Sequence, residues 1–173
     1  MTVTRMTRQK GIPTLLKAAA LVHRQRPGVR FLLIGPREEE GPFAVTQAEI
    51  DRHAPYVQAL GGHSDVPWLL GIADVFAFPT EIPEGIPRVL LEAAVAGQPI
   101  VTTRMPGCID VIRDGWNGFV VPPRFGILPT AFSSCCATET RRMPWGAAPP
   151  SWHDGNTTWR SRWSATRRSM TSW

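Results

Sequence analysis

The sequence predicts an α/β fold, a doubly wound parallel sheet with helices on both faces, and three observations lead to this prediction. Short runs of β-branched and aromatic residues alternate with longer stretches of helical periodicity, which is the pattern of βαβ units. Gly and Pro residues separate the two kinds of segment. At 173 residues and 43% hydrophobic composition, the length favours one domain with an appendage.

Apolar spacing defines the predicted elements. Leu15, Leu16, Ala19 and Val22 recur at helical spacing within residues 12–26, and Pro27 follows that segment. A second helix is predicted over residues 87–96, where Val89, Leu90, Ala93 and Ala94 share a face and Gly97 follows. Buried strands are predicted over residues 30–34, 74–78, 99–102 and 118–121.

The periodic pattern stops after Pro123. Residues 124–173 contain most of the tryptophans, many Ser and Thr residues, and no apolar repeat at a spacing of 2 or 3.6. A Rossmann-like domain would need an amphipathic helix at this point. We therefore divide the chain into a domain over residues 1–123 and an irregular basic tail over residues 124–173 that we expect to be disordered. A change of reading frame near residue 124 would explain this composition, and a genuine disordered tail is the alternative.

The distribution of charge argues against a specific nucleic-acid-binding domain. Residues 1–123 contain equal numbers of basic and acidic side chains, so the net charge of +5 belongs to the tail. Binding of single strands by the Arg- and Trp-rich tail remains a minor alternative.

Other classes of protein are excluded by what the sequence does not contain. It has no apolar stretch of about 18 residues and no apolar run behind its basic N-terminus, so we predict neither a membrane span nor a signal peptide, and a cytoplasmic location. Cys108, Cys135 and Cys136 lack metal-ligand spacing, and the histidines form no cluster with them. The sequence therefore predicts no metal site.

A basic pair, Arg5 and Lys10, precedes the first predicted helix. Two cations beside the positive end of a helix would suit a diphosphate. Basic residues in such a position more often form a solvated surface, so the pair alone is a weak signal.

A stronger candidate site follows the strand over residues 74–78. Glu84 and Gly85 lie in a Pro- and Gly-rich loop, Pro87 suits a first helical turn, and Glu92 lies within an apolar helical run. Ligands bind at such carboxyl ends of strands in open α/β sheets. Two carboxylates about two helical turns apart could hold different hydroxyls of one extended ligand. The alternatives are a favourable helix-dipole contact for Glu84 and an exposed position for Glu92, although an acid in an apolar run is costly unless it is paired.

A third element, residues 102–110, again leads from a strand through a Gly loop to a short helical turn. It could close over the ligand, and an ordinary βα turn is an equally good interpretation.

These motifs resemble the C-terminal, donor-binding domain of retaining GT-B glycosyltransferases of the family-4 type. Arg5-x4-Lys10-Gly11 is similar to the family's basic element for the donor diphosphate, and Glu84-x7-Glu92 is similar to its E-x7-E element. The segments 71–76 and 92–101 also resemble the family, so the resemblance extends over residues 1–123.

The resemblance implies a role for each site residue. Glu84 would contact the donor sugar near the reacting carbon, the amides of Gly85 and Ile86 would support the sugar and phosphate, and Glu92 would bind the ribose hydroxyls. The basic pair would neutralise the leaving diphosphate. The resemblance also implies no metal and no cofactor, the nucleotide-diphosphate sugar being the substrate.

The predicted function is therefore that of a donor domain, one half of a GT-B fold, which binds a nucleotide-diphosphate sugar, with UDP expected as the nucleotide, for transfer to a polysaccharide or glycolipid. The family's acceptor-binding domain has no counterpart in these residues, so we expect the chain to be inactive alone and to need a separate acceptor-domain chain. Contact with the inner membrane face would be peripheral and would depend on a lipid-linked acceptor. The alternative is a nucleotide-binding module without transfer chemistry.

Overall fold

The computed structural model describes residues 1–37 and 41–123, and the predicted tail over residues 124–173 lies outside them. Parallel strands and helices alternate along the described chain. The strands are β1 (Thr2–Val3), β2 (Phe31–Ile34), β3 (Val57–Gly61), β4 (Phe76–Phe78), β5 (Ile100–Thr103) and β6 (Gly118–Val121). The helices are α1 (Ile12–Gln25), α2 (Gln47–Asp51), α3 (Val66–Ile72) and α4 (Arg88–Val95).

The sheet has the strand order of a doubly wound fold. The parallel ladders run β1-β2-β3 and β4-β5-β6. Met1 joins them, because its amino group donates to the Val75 carbonyl at 2.8 Å and its carbonyl accepts from the Ala77 N–H at 2.8 Å. The resulting order is 3-2-1-4-5-6. All strands are parallel, and the chain adds strands on one side of β1 first and then on the other, beginning with β4. The carboxyl ends of β1 and β4 therefore lie side by side at the topological switch point.

Two buried clusters, one on each face, hold the helices to the sheet. The first contains Leu15 and Val22 of α1 together with Ala77 of β4. The second contains Leu90 of α4 together with Phe76 of β4. Neighbouring residues of one strand enter opposite clusters because strand side chains alternate between faces. The predicted fold class is confirmed, and the helical periodicity identified the residues that face the core.

The sequence analysis missed the shorter elements. The edge strand β3 alternates buried and more exposed positions over only five residues, and α2 has five residues with one of them buried. A local signal for α2 did exist, since Thr46 and Glu49 form a capping box. β1 is only two residues long, yet it pairs with β2 and joins β4 through Met1, so it is an interior strand.

An aromatic stack lies at the start of β3. The rings of His23 and Tyr56 lie parallel with centroids 4.1 Å apart, and the Tyr56 hydroxyl lies 3.1 Å from His53 Nδ1. Burial of His53, together with the positive charge of Arg52, holds its pKa below the usual value of 6.5. The folded state therefore favours neutral His53.

The depressed pKa of His53 predicts a loss of stability in mild acid. The unfolded chain takes up this proton at a higher pH than the folded chain does, so stability is lost as the pH falls below about 6.5. Urea denaturation at pH 7.5 and pH 5.5 should show a smaller decline for His53→Gln than for the wild type. His63→Gln, which removes an exposed histidine, should keep the wild-type decline. Equal declines for His53→Gln and the wild type would contradict the prediction.

Candidate functional site

Two loops meet in backbone contact at the switch point. Gly11, the N-cap of α1, has a φ of 70°, and a Cβ added there would lie 1.9 Å from the Pro79 carbonyl oxygen. The Glu81 N–H donates to the Gln9 carbonyl at 2.9 Å. Only glycine permits this approach. The turn after β1 and the loop after β4, which carry the predicted site residues, are thereby held together.

Lys10 and Glu84 form an ion pair across this junction. Lys10 Nζ lies 2.8 Å from Glu84 Oε2, and the two side chains are 11% and 18% exposed. Charges so little exposed attract each other more strongly than a surface pair does. Removal of either partner would leave the other buried and unpaired. The sequence analysis assigned these residues to different parts of a ligand and did not predict that they touch.

The second oxygen of Glu84 is buried without a protein donor among the described residues. Within the part of the chain that the structure describes, Glu84 Oε1 is buried and has no hydrogen-bond partner. A buried acceptor without a donor costs free energy. A ligand hydroxyl that donated to this oxygen would remove that cost.

The loop before α4 offers backbone donors. Glu84 N–H donates to the Pro106 carbonyl, but among residues 1–37 and 41–123 the N–H groups of Gly85 and Ile86 make no hydrogen bond. Pro87 is the N-cap of α4 and α4 begins at Arg88, so the helix starts between Glu84 and Glu92 as predicted. The unpaired N–H groups at this end of α4 favour an anion.

The N-terminus of α1 offers few unpaired backbone donors among the described residues. Gly11 N–H donates to the Arg8 carbonyl at 2.9 Å and Ile12 N–H approaches the Thr7 carbonyl at 3.5 Å. Pro13 has no N–H. Among the described residues, Gly11 and Ile12 therefore offer no unpaired N–H to an anion, and the diphosphate role of Arg5 and Lys10 stays a prediction.

Arg5 and Glu92 flank the junction. Arg5 is exposed and lies in the turn after β1. Glu92 is half-buried in α4, and within the described residues its carboxylate makes no hydrogen bond or ion pair. The structure thus brings Lys10, Glu84 and Gly85 into one junction, and within residues 1–37 and 41–123 Glu92 has no hydrogen-bond or ion-pair partner.

The segment over residues 102–110 packs against the loop that carries Glu84 and Gly85. Gly107 has a φ of 83°, and a Cβ there would lie 2.2 Å from the Gly85 carbonyl oxygen and 2.6 Å from that of Glu84. Asp110 Oδ2 accepts from the Gly107 N–H at 3.0 Å. Residues 104–110 therefore support the loop that carries Glu84.

Buried threonines, which the sequence analysis missed, fix the ends of β4 and β5. Thr102 Oγ1 donates to the Phe78 carbonyl at 2.8 Å, and Thr103 Oγ1 donates to the Thr80 carbonyl. Thr80, Thr102 and Thr103 are all buried. The available signal was a set of Thr residues at the ends of two apolar strands, where hydroxyls can satisfy buried carbonyls.

Metal and thiol chemistry find no support in the described residues. They contain no group of three or more His, Cys, Asp or Glu side chains that could hold a metal ion. Burial raises the pKa of the Cys108 thiol above its usual value, which favours the unreactive protonated form. A search of the described helices also finds none with the length and apolarity needed to cross a membrane.

Comparison with known proteins relates the chain to sugar-transferring enzymes. A family model described as "Glycosyl transferases group 1" matches residues 1–136. The capsular polysaccharide biosynthesis glycosyltransferase CapM of Staphylococcus aureus is 30% identical over 119 residues, which cover 69% of this chain and 31% of that protein. The GDP-mannose-dependent alpha-(1-6)-phosphatidylinositol monomannoside mannosyltransferase of Mycolicibacterium smegmatis is 27% identical over 169 residues, covering 92% and 44%.

A solved structure confirms the fold. The crystal structure of Anabaena Alr3699/HepE in complex with UDP-glucose superposes with a TM-score of 0.72 at 21% identity, covering 99% of this chain and 48% of that chain. The chain thus spans less than half the length of each of these three proteins.

The contact between Gly107 and the Glu84–Gly85 backbone gives a testable prediction. Gly107→Ala should lower the free energy of unfolding by about 1–3 kcal/mol, because the new Cβ clashes with two carbonyl oxygens and the positive φ is strained. Urea denaturation measures the loss. Gly115→Ala is the matched control, since Gly115 has a similar φ of 75° and a Cβ there meets no atom within 4 Å. Equal stability of the two variants would contradict the proposed packing.

Proposed function

Because the family model matches most of its length, the chain belongs to the group 1 glycosyl transferases, and we propose that residues 1–123 bind the nucleotide-diphosphate sugar donor of such an enzyme. The observation that carries the proposal is the Lys10–Glu84 ion pair at the switch point, where a cation and a half-buried carboxylate meet beside amides that have no hydrogen-bond partner among the described residues. A donor of this kind presents a diphosphate and sugar hydroxyls. The site offers cations and amides for the diphosphate and carboxylates for the hydroxyls.

Lys10 and Arg5 neutralise the diphosphate. Lys10 lies at the junction itself, and Arg5 lies on the exposed turn that leads to it. The unpaired N–H groups of Gly85 and Ile86 add donors at the positive end of α4. In transfer, the bond between the sugar and the diphosphate breaks and negative charge develops on the leaving oxygen. Cations and amides already in place stabilise that charge without reorganisation.

Glu84 and Glu92 bind hydroxyls. The buried Oε1 of Glu84 accepts from a hydroxyl of the donor sugar, which satisfies an oxygen that has no protein partner in the described residues. Glu92, about one turn into α4, accepts from the ribose hydroxyls. A retaining reaction is part of the proposal because the spacing Glu84-x7-Glu92 is similar to the E-x7-E element of retaining GT-B glycosyltransferases.

UDP is the nucleotide we propose. Alr3699/HepE has been crystallised with UDP and with UDP-glucose, whereas the mycobacterial relative is named for GDP-mannose. The acceptor is proposed to be a polysaccharide or glycolipid, because relatives are named for capsular polysaccharide and for phosphatidylinositol mannoside. The chain spans less than half the length of these relatives. We therefore expect acceptor binding, and with it transfer, to require the portion that this chain does not cover.

The role of Lys10 is tested by calorimetry with UDP. Lys10→Ala should weaken binding by roughly 1.5–3 kcal/mol, because a charged hydrogen bond to phosphate is lost, which corresponds to about a tenfold to 150-fold rise in Kd. Arg30→Ala is the charge-matched control, since Arg30 is exposed and lies at the amino end of β2, whereas the site lies at the carboxyl ends of the strands. It should bind as the wild type does. Equal affinities for Lys10→Ala and the wild type would refute the diphosphate assignment.

The role of Glu92 is tested by comparing two ligands. Glu92→Gln should reduce the affinity for UDP and leave the affinity for pyrophosphate unchanged, because pyrophosphate has no ribose. Calorimetry with both ligands measures the difference. A loss of the same size for UDP and for pyrophosphate would rule out the ribose contact.

A further inference from the structure

Glu81 is a carboxylate of the site loop that donor binding does not use. It lies three residues before Glu84, and its Oε1 accepts a hydrogen bond from Thr14 Oγ1 at 2.5 Å. Thr14 lies in the first turn of α1, four residues after Lys10. Both side chains are partly buried. The sequence analysis assigned a role to neither residue.

The Thr14–Glu81 contact duplicates the connection made by the ion pair. Lys10 contacts Glu84 and Thr14 contacts Glu81, so two contacts run between the same two segments. The Glu81 N–H adds a hydrogen bond to Gln9 beside them. The backbone of Lys10 is therefore tied to the loop of Glu84 from both sides, which restrains where the lysine side chain can reach.

Glu81 also places a negative charge at the start of α1. No acidic residue of α1 lies in its own first turn, and its N-cap, Gly11, has no side chain to cap the helix. A carboxylate supplied from another segment compensates the positive end of the helix. With this end already compensated, an anion is directed toward Lys10 and the amides before α4.

We propose that Thr14 and Glu81 are positioning residues that hold Lys10 in register with the diphosphate of the donor. This inference rests on the proposed function. Lysine has a flexible four-carbon side chain, so the backbone that carries it has to be fixed if the ammonium group is to meet a phosphate at hydrogen-bond distance. The Thr14 hydroxyl and the Glu81 carboxylate provide that fixed point on α1.

The test uses the full 173-residue chain and calorimetry with UDP. Thr14→Val keeps the shape of the side chain and removes the donor, and it should weaken UDP binding about threefold to tenfold. Thr14→Ser restores the hydroxyl and should restore the wild-type affinity. In a Lys10→Ala background, Thr14→Val should cause no further loss, because the positioned group is already absent.

The outcomes separate positioning from general stability. A loss in Thr14→Val that persists in the Lys10→Ala background, or that Thr14→Ser does not rescue, would overturn the proposal. If Thr14→Val does not fold, Glu81→Ala removes the acceptor and carries the same expectations. If neither variant folds, the pair has a purely structural role and the proposal is overturned. If Lys10→Ala itself binds UDP like the wild type, the proposed function fails. If only Lys10→Ala weakens binding, the positioning role alone fails.

Discussion

The close contact between Gly11 and the Pro79 carbonyl is the constraint on which the rest of the site depends. A side chain at position 11 would force the turn after β1 away from the loop after β4. With glycine there, Lys10 reaches Glu84 and Thr14 reaches Glu81. The strand order supplies the other requirement, because only a reversal between β1 and β4 brings these two carboxyl ends side by side.

The two helix N-termini at the junction have different chemistry. The N–H groups of Gly11 and Ile12 are paired with carbonyls, Pro13 has no N–H, and Glu81 lies close to Thr14. The loop before α4 keeps the N–H groups of Gly85 and Ile86 unpaired among the residues that the structure describes. The two helix ends therefore differ in the backbone donors that they offer to an anion. This asymmetry gives the site a direction along which an extended ligand can lie.

The ion pair is costly to maintain, which is a property expected of a binding site. Both charges of the Lys10–Glu84 pair lose most of their contact with water, and one carboxylate oxygen has no partner in the described chain. Such a pair contributes little net stability. Threonine hydroxyls at the ends of β4 and β5 and the packing of Gly107 stabilise the loop around it. The fold thus supports an arrangement that a ligand would complete.

Local pattern in the sequence was sufficient for the fold class and for the longer elements, whereas the shorter elements were missed. Helical spacing located α1 and α4 to within about two residues, the start of α4 between Glu84 and Glu92 followed from the loop composition, and fold class followed from the alternation of segments. The ion pair, the Thr14–Glu81 hydrogen bond and the interior position of β1 were established by the folded chain alone. These contacts join segments distant in sequence, 67 positions apart for Thr14 and Glu81. Periodicity reports which face of one element is buried; which loops touch depends on strand order and on a backbone approach that a single glycine permits.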